Sequence, residues 1–382
     1  MVTVEPALLS AALGAAWGIG IALAGHLKNQ LTKRRLLRGA GGDPPSLAVV
    51  IASRNEEEVI ENTIRRVFSS SPPGTRVIVV DESTDSTPKI LARLAQEFPD
   101  LVVIRDPKVK GKPAALNRAL REVREEVVLF LDADARVNRD YVQTCLSLFA
   151  DPDLPALFTD FEAYNTHRTV PVVLQDLFFS FSRIFVFSGL FYRPTFMNSG
   201  MWIRREVLER VGEFRPGSLV DDFELGIRMA KRGIYARYFV GTKLRIQYAL
   251  TLKDIFLQHS RWYTGGIEEM FHEIRKGAIS YVFLMAGLAC VVYFPQILMI
   301  AAAATLSPTP LALVLPGAAA ALYTAVGIGY LLSKPRSFKE VLVNLGVGVP
   351  AWYLMLQTSI ALSFFRALFG YRGWYRVRRE QA

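Results

Sequence analysis

The chain has 382 residues, 51% of them apolar, a positive mean hydropathy and a net charge of +10. That is enough for one sizeable α/β domain plus several helices, and too apolar on average for a wholly soluble enzyme. The two distant cysteines, Cys145 and Cys290, suggest neither a disulfide framework nor a zinc site, and the excess Lys and Arg flank apolar segments, which points to an anionic membrane surface and away from nucleic acid.

In chain order, Ala7 to Gly25 is an uncharged run of nineteen residues, close to the ~20 needed to cross a bilayer. Lys28, Lys33, Arg34, Arg35 and Arg38 follow it, which orients the N-terminus outside and the basic flank in the cytosol. Glu5 and the lack of a cation before the run argue against a cleaved signal peptide. Next come short β-branched runs at Leu47 to Ala52, Val77 to Val80, Leu101 to Ile104 and Val127 to Leu131. Helical patterns separate them at Glu57 to Phe68, Ser86 to Phe98 and Pro113 to Val123. This alternation predicts an α/β domain with a mostly parallel sheet.

Leu174 to Phe196 carries seven phenylalanines. If it crossed the membrane, Asp176 and Arg183 would be buried, so an amphipathic helix lying in the interface is expected. No charged residue occurs from Gly277 to Leu332, and Ser307-Pro-Thr-Pro310 divides that stretch into spans near 279–304 and 311–332, a transmembrane hairpin. A last uncharged run, Val341 to Phe365, either crosses as a fourth span or, interrupted by Gly346, Gly348 and Pro350, enters and returns. Crossing conflicts with the basic tail of Arg366, Arg372, Arg376, Arg378 and Arg379, which belongs in the cytosol. The expected organisation is a membrane helix and basic flank at 1–40, a catalytic domain at 41–240, an interfacial segment at 241–276 and a membrane region with basic tail at 277–382.

Ligands of such sheets bind beyond the carboxyl ends of the strands, which here are followed by Arg54-Asn-Glu56, Asp81-Glu-Ser-Thr-Asp85 and Asp132-Ala-Asp134. No glycine-rich dinucleotide or P-loop signature is present. Acids at strand ends repel a bare diphosphate, whereas a divalent cation between them reverses the sign. Asp132 and Asp134, two apart in an extended segment, point the same way and could share one Mg2+ or Mn2+. Asp221 and Asp222 open a helix, where acids are ordinary partners of the helix dipole; a carboxylate there could also act as a general base. Gln258-His-Ser-Arg-Trp262 supplies a guanidinium able to grip a diphosphate and an indole suited either to a sugar face or to membrane anchoring. His259 is expected to be a surface or packing residue and not a ligand, since His26, His167 and His272 form no metal spacing with it.

With these motifs in order, residues 47 to about 265 resemble the inverting family 2 glycosyltransferases. The likeness is to the membrane-bound branch that includes cellulose, chitin and hyaluronan synthases and ceramide glucosyltransferase. Val50-Ile-Ala-Ser-Arg-Asn-Glu-Glu57, Val80-Asp-Glu-Ser-Thr-Asp85, Gly111-Lys-Pro-Ala-Ala-Leu-Asn117, Asp132-Ala-Asp134, Asn198-Ser-Gly200, Asp221-Asp222 and Gln258-His-Ser-Arg-Trp262 carry the likeness. The resemblance implies a GT-A fold (Rossmann-like), with Ala52, Arg54, Glu56, Asp81, Lys112, Asp132, Gln258 and Arg261 around the donor and Asp134 the more direct metal ligand. It also implies Asp222 as catalytic base, and Gly200 and Trp262 toward the acceptor. Two departures are Val220 before the two acids, where Thr-Glu-Asp is usual, and Ser53-Arg54 where Tyr is common before Asn-Glu. The expected activity is transfer of a single hexose from a nucleotide sugar, GDP-mannose or UDP-glucose, to a lipid or lipid-linked glycan, a polyprenyl or dolichyl carrier being the leading acceptor. A processive polysaccharide synthase and an inactive sugar-nucleotide sensor or scaffold are the alternatives.

Overall fold

The computed structural model describes residues 4–106, 108–165, 169–190, 199–277, 308–333 and 337–370. The span expected at 279–304 and most of the basic tail lie outside them.

Helix α1 (Val4–Gly39) leads into β1 (Leu47–Ser53), α2 (Ile60–Ser70), β2 (Arg76–Asp81), α3 (Thr87–Glu97), β3 (Leu101–Ile104), α4 (Lys112–Leu120) and β4 (Val127–Asp132). Then follow α5 (Arg139–Leu148), β5 (Ala156–Ala163), α6 (Val170–Phe185), β6 (Met201–Arg204), α7 (Arg205–Val211), α8 (Asp221–Lys231), β7 (Arg237–Ile246) and α9 (Leu252–Arg275). The sheet has seven strands in the order β3-β2-β1-β4-β6-β5-β7, parallel except where β6 runs against β4 and β5. The four sequence-predicted strands are all present, and burial of Val49, Val79 and Leu129 on one face and of Val50, Ile78 and Val128 on the other explains their continuous apolar runs. Strand β7 crosses position 240, so the last sheet strand continues into the segment expected to be interfacial.

Register fixes the site. Ser53 lies opposite Asp81, and Ala52 opposite Asp132, so β1, β2 and β4 end on one line. Helix α2 starts later than its pattern predicts because residues 55–57 are tied to the loop after β2. Asn55 donates its backbone N–H to Ser83 Oγ and accepts from Thr84 N–H, while the Glu57 carboxylate accepts from Ser86 N–H.

Among the described residues, two helices follow the domain: α10 (Pro308–Ser333) and α11 (Phe338–Leu368), the latter containing a π-helical turn at Asn344–Gly348. With α1 they are the three described helices long and apolar enough to cross a membrane. Helix α11 is continuous, and its Gly346, Gly348 and Pro350 are absorbed by the π turn instead of making an in-and-out loop. Helices α1 and α10 run parallel in close contact: Gly14 faces the Gly317 backbone, Gly18 faces Ala321, and Thr324 Oγ1 donates to Ala15 O. This is the small-residue packing that membrane helices use.

The phenylalanine-rich segment corrects an expectation. Helix α6 does not lie open on a surface; it is sandwiched, with Phe179 on Phe161 and Tyr248 of the domain and Phe181 on Trp352 of α11. Its Arg183, 8% exposed, donates to Asp160 Oδ1 at 2.7 Å, and Asp160 is 4% exposed. The guanidinium that argues against burial on sequence grounds is buried, and the ion pair with Asp160 balances its charge.

Candidate active site

The three strand ends, α4, α6, α8, α9 and α11 enclose one cavity of about 1710 Å³. That exceeds the ~300–1,000 Å³ of a typical small-ligand site. Its wall includes Ala52, Arg54, Glu56, Lys112, Asp132, Asp134, Asp222, Gln258, Arg261 and Trp262, so residues scattered over more than two hundred positions meet there.

Electrostatically the centre is four acids facing two cations. Lys112, in the first turn of α4, lies 2.9 Å from Asp132 Oδ1 and 3.4 Å from Asp221 Oδ2. Burial opposes its charge, but Asp132, Asp221 and Asp222 raise it above the ordinary ammonium range. Asp222 follows in the first turn of α8. Burial, then the neighbouring Asp221 charge, push its carboxyl up to about 7 against the pull of Lys112, the Phe223 amide and Arg261. Burial lowers Arg261, opposed by Asp221, Asp222 and Asp132, and its Nη1 donates to Leu219 O at 2.8 Å. Asp134 sits in a turn closed by Ala135 N–H on Asp132 O at 3.0 Å, not in the extended segment expected.

The Gln-His-Ser-Arg-Trp motif lies inside α9, whose start is fixed by a reciprocal capping box between Thr251 and Asp254. Ion pairs of Lys231 with Glu273 and Arg215 with Glu269 clamp α9 to α8 and to the loop before it. Gly265 allows the close approach: a Cβ there would stand 2.7 Å from Val220 Cγ1 and 3.1 Å from Leu219 Cβ, just before the two acids. Gly265→Ala is expected to lower turnover at least tenfold by displacing Asp222, because a shift near 1 Å at a reacting group costs about 10²-fold. Val220→Ala in the same chain should restore most of it, measured as kcat beside the melting temperature.

Trp262 stacks on Phe178 at 5.7 Å and also reaches the cavity. His259 packs as expected: it is fully buried against Phe178 and Trp262, and burial pushes its imidazole down to about 3. Two expected site residues stand back from the wall. Asp81 is 2% exposed, takes the Ser83 hydroxyl and faces Arg105 at 3.6 Å, while its neighbour Glu82 lines the cavity. Gly200 is a backbone requirement: at φ +79° its Cβ position is filled by Tyr141 Oη at 2.7 Å, and its neighbours Ser199 and Met201 line the cavity.

Sequence reasoning assigns no role to Glu82, Gln175, Ser199 or Gln357, and names Asp221 only beside Asp222 as a candidate general base. Gln175 donates to Gln258 Oε1 at 3.3 Å and accepts from Ala249 N–H at 2.7 Å. A lone amide within an apolar stretch is the sequence signal for both glutamines.

A metal fits the donor set in one way. Asp132 and Asp134 offer hard oxygens to the cavity, and no cluster of three or more His, Cys, Asp or Glu suited to a metal occurs among the described residues. That suits Mg2+ or Mn2+ held by one or two carboxylates and completed by substrate phosphates and water, not an all-protein cage.

The sheet, its strand-end site and the helices on both faces define a GT-A-like α/β fold, and similarity to known proteins agrees. Residues 48–212 match the Glycosyl transferase family 2 model. It is 31% identical over 216 residues to a beta-monoglucosyldiacylglycerol synthase of Synechocystis sp., covering 54% of this chain and 44% of that protein. It is 27% identical over 201 residues to the Nostoc sp. enzyme of that name, covering 50% and 42%. The chain thus spans less than half the length of these relatives. Among solved structures, a mannosyltransferase from Pyrobaculum calidifontis in complex with GDP-Man and Mn2+ superposes with a TM-score of 0.58 at 21% identity, over 94% of this chain and 100% of that one.

Proposed function

We propose that the protein is an inverting hexosyltransferase of the membrane-bound family 2 branch, moving one sugar from a nucleotide sugar to a hydroxyl of a membrane lipid or lipid-linked glycan at the cytosolic face. The observation that carries this reading is the single cavity whose wall passes from the strand-end acids to the apolar side chains of α6 and α11. A charged donor and an apolar acceptor can meet inside it without either being buried in the wrong medium. The named relatives, which by name make glucosyl-diacylglycerol, support the lipid, and GDP-mannose and UDP-glucose are the donors to try first.

In this reaction Asp222 takes the proton of the acceptor hydroxyl, the freed oxygen attacks the anomeric carbon, and the bond to the nucleoside diphosphate breaks with inversion. A carboxyl poised near neutrality suits that task. Lys112 and Arg261 supply positive charge on the leaving side. Asp134 and Asp132 would hold a Mg2+ or Mn2+ whose charge offsets that of the departing diphosphate.

The test is purified full-length protein with labelled GDP-mannose or UDP-glucose, Mg2+ or Mn2+, and extracted lipids. Products growing by one sugar are expected. A high-mass polymer made without lipid would replace this reading by a processive synthase, and neither transfer nor hydrolysis of any donor by a sensor or scaffold. Asp134→Ala should abolish the rise in melting temperature given by donor plus Mn2+; an undiminished rise would remove Asp134 from the metal site.

A further inference from the structure

Two amides from different helices meet in the cavity wall, and the backbone decides which way each one faces. Gln175 of α6 is 1% exposed. Its Oε1 accepts the N–H of Ala249, in the connection from β7 to α9, at 2.7 Å. Its Nε2 donates to Oε1 of Gln258, on α9, at 3.3 Å. Both glutamines line the cavity.

The two ends of a side-chain amide are alike in size and opposite in role, since the oxygen accepts and the nitrogen donates. A backbone N–H can only donate, so Ala249 holds the oxygen end of Gln175 and its nitrogen end must face Gln258. Gln258 answers with its oxygen. What remains for the cavity is its Nε2, a donor. Gln258 is half-buried, and among the described residues this nitrogen has no hydrogen-bond partner and keeps accessible surface. Arg261 stands three residues further along α9, on the same face. An amide N–H beside a guanidinium suits a group that only accepts, as the oxygens of a diphosphate do.

Resting on the proposed hexosyl transfer, we propose that Gln175 is a positioning residue, which locks Gln258 with its nitrogen toward the cavity so that it donates to a diphosphate oxygen of the nucleotide. Negative charge grows on that diphosphate as the sugar departs, so the hydrogen bond strengthens in the transition state and appears in kcat. The plainer role for Gln175 is to satisfy Ala249 N–H and tie α6 to the start of α9. The two roles differ in whether Gln175 acts through Gln258.

The experiment compares full-length wild type, Gln175→Met, Gln258→Ala and the double variant. Each is assayed for transfer with the nucleotide sugar the wild type turns over, and titrated with GDP and with UDP in the presence of Mn2+. Gln175→Met should lower kcat about tenfold, the lower end for a hydrogen bond to a charged group. It should weaken binding of the matching nucleoside diphosphate by a similar factor and leave KM for the acceptor unchanged. In the Gln258→Ala background the same substitution should lower kcat no further, although the melting temperature falls in both backgrounds because Ala249 N–H loses its partner. An unchanged kcat in Gln175→Met, or the same fall in kcat in both backgrounds, overturns the proposal and leaves the transferase standing. Gln175→Glu keeps an acceptor for Ala249 but turns a second one to Gln258, whose nitrogen must then face away from the cavity. It should lose at least as much kcat as Gln175→Met, and wild-type turnover would overturn the proposal even if Gln175→Met fails to fold. A wild type that transfers no sugar and binds neither nucleotide removes the transferase and this inference with it.

Discussion

Asp222→Asn should reduce sugar transfer by about 10²–10⁴-fold, the usual worth of a positioned general base, while leaving donor affinity within a factor of two. It should also make the protein more stable at pH 8. Both effects come from one cause: the fold raises this carboxyl from 3.8 to about 7, chiefly by burial and then by Asp221. Because the folded state holds the proton more tightly than the unfolded chain, stability is highest below the unfolded value and is lost as pH rises through the folded one. Asn carries no such penalty. The stability gained by the variant should therefore be small at pH 4, grow between pH 4 and 7, and level off above. Wild-type kcat/KM should follow the opposite course, rising through about pH 7 as the base ionises. Asp221→Asn should move that rise to lower pH by removing a like charge. Melting curves and pH–rate profiles on the same preparations check all three statements; near-normal transfer by Asp222→Asn would end the assignment.

Arg183→Met should be the most damaging substitution outside the cavity. Among the described residues it leaves Asp160, 4% exposed, with Lys243 at 3.9 Å as the remaining cation to offset its charge. Removing one member of a buried pair costs about 3–5 kcal/mol, enough to lower the melting temperature by roughly 10 °C. Arg183 also holds α1, since Asn29 Nδ2 donates to its carbonyl at 3.1 Å, but that backbone bond survives the substitution. Arg183→Met with Asp160→Leu should recover most of the loss, because an apolar pair of similar volume is often as stable as the ion pair it replaces. No recovery in the double variant would show that α6 is held by its backbone path and not by balanced charge.

The parts of the site that lie on strand ends are legible in the sequence. A parallel strand buried on both faces must be a short β-branched run, and its next residues must be where a ligand meets the sheet. Asp132, Asp134 and Arg54 follow from that rule. Asp222 and Arg261 are located only through a resemblance to other sequences, because an acid in the first turn of a helix and an arginine in an amphipathic one have commoner explanations.

Where local pattern misleads, a partner far along the chain is responsible. Helix α6 reads as a surface helix because Arg183 has no counter-charge nearby in sequence; Asp160, on another strand, supplies it. Asp81 reads as a wall residue, but Ser83 and Arg105 turn it inward. The need for glycine at position 200 comes from Tyr141 and Leu244, which occupy its side-chain space.

By itself, then, the sequence determined the four parallel strands β1 to β4, a first helix long and apolar enough to cross a membrane and the acids at the strand ends, since these depend on period, length and charge within short windows; β5, β6 and β7 it left unmarked. Tertiary structure alone decided that Lys112 joins Asp132 to Asp221, that burial raises the Asp222 carboxyl to about 7, and that Ile360 and Phe364 of α11 line the same cavity as these acids. Each of those outcomes is a distance or a loss of solvent between residues remote in the chain, and no local pattern encodes it.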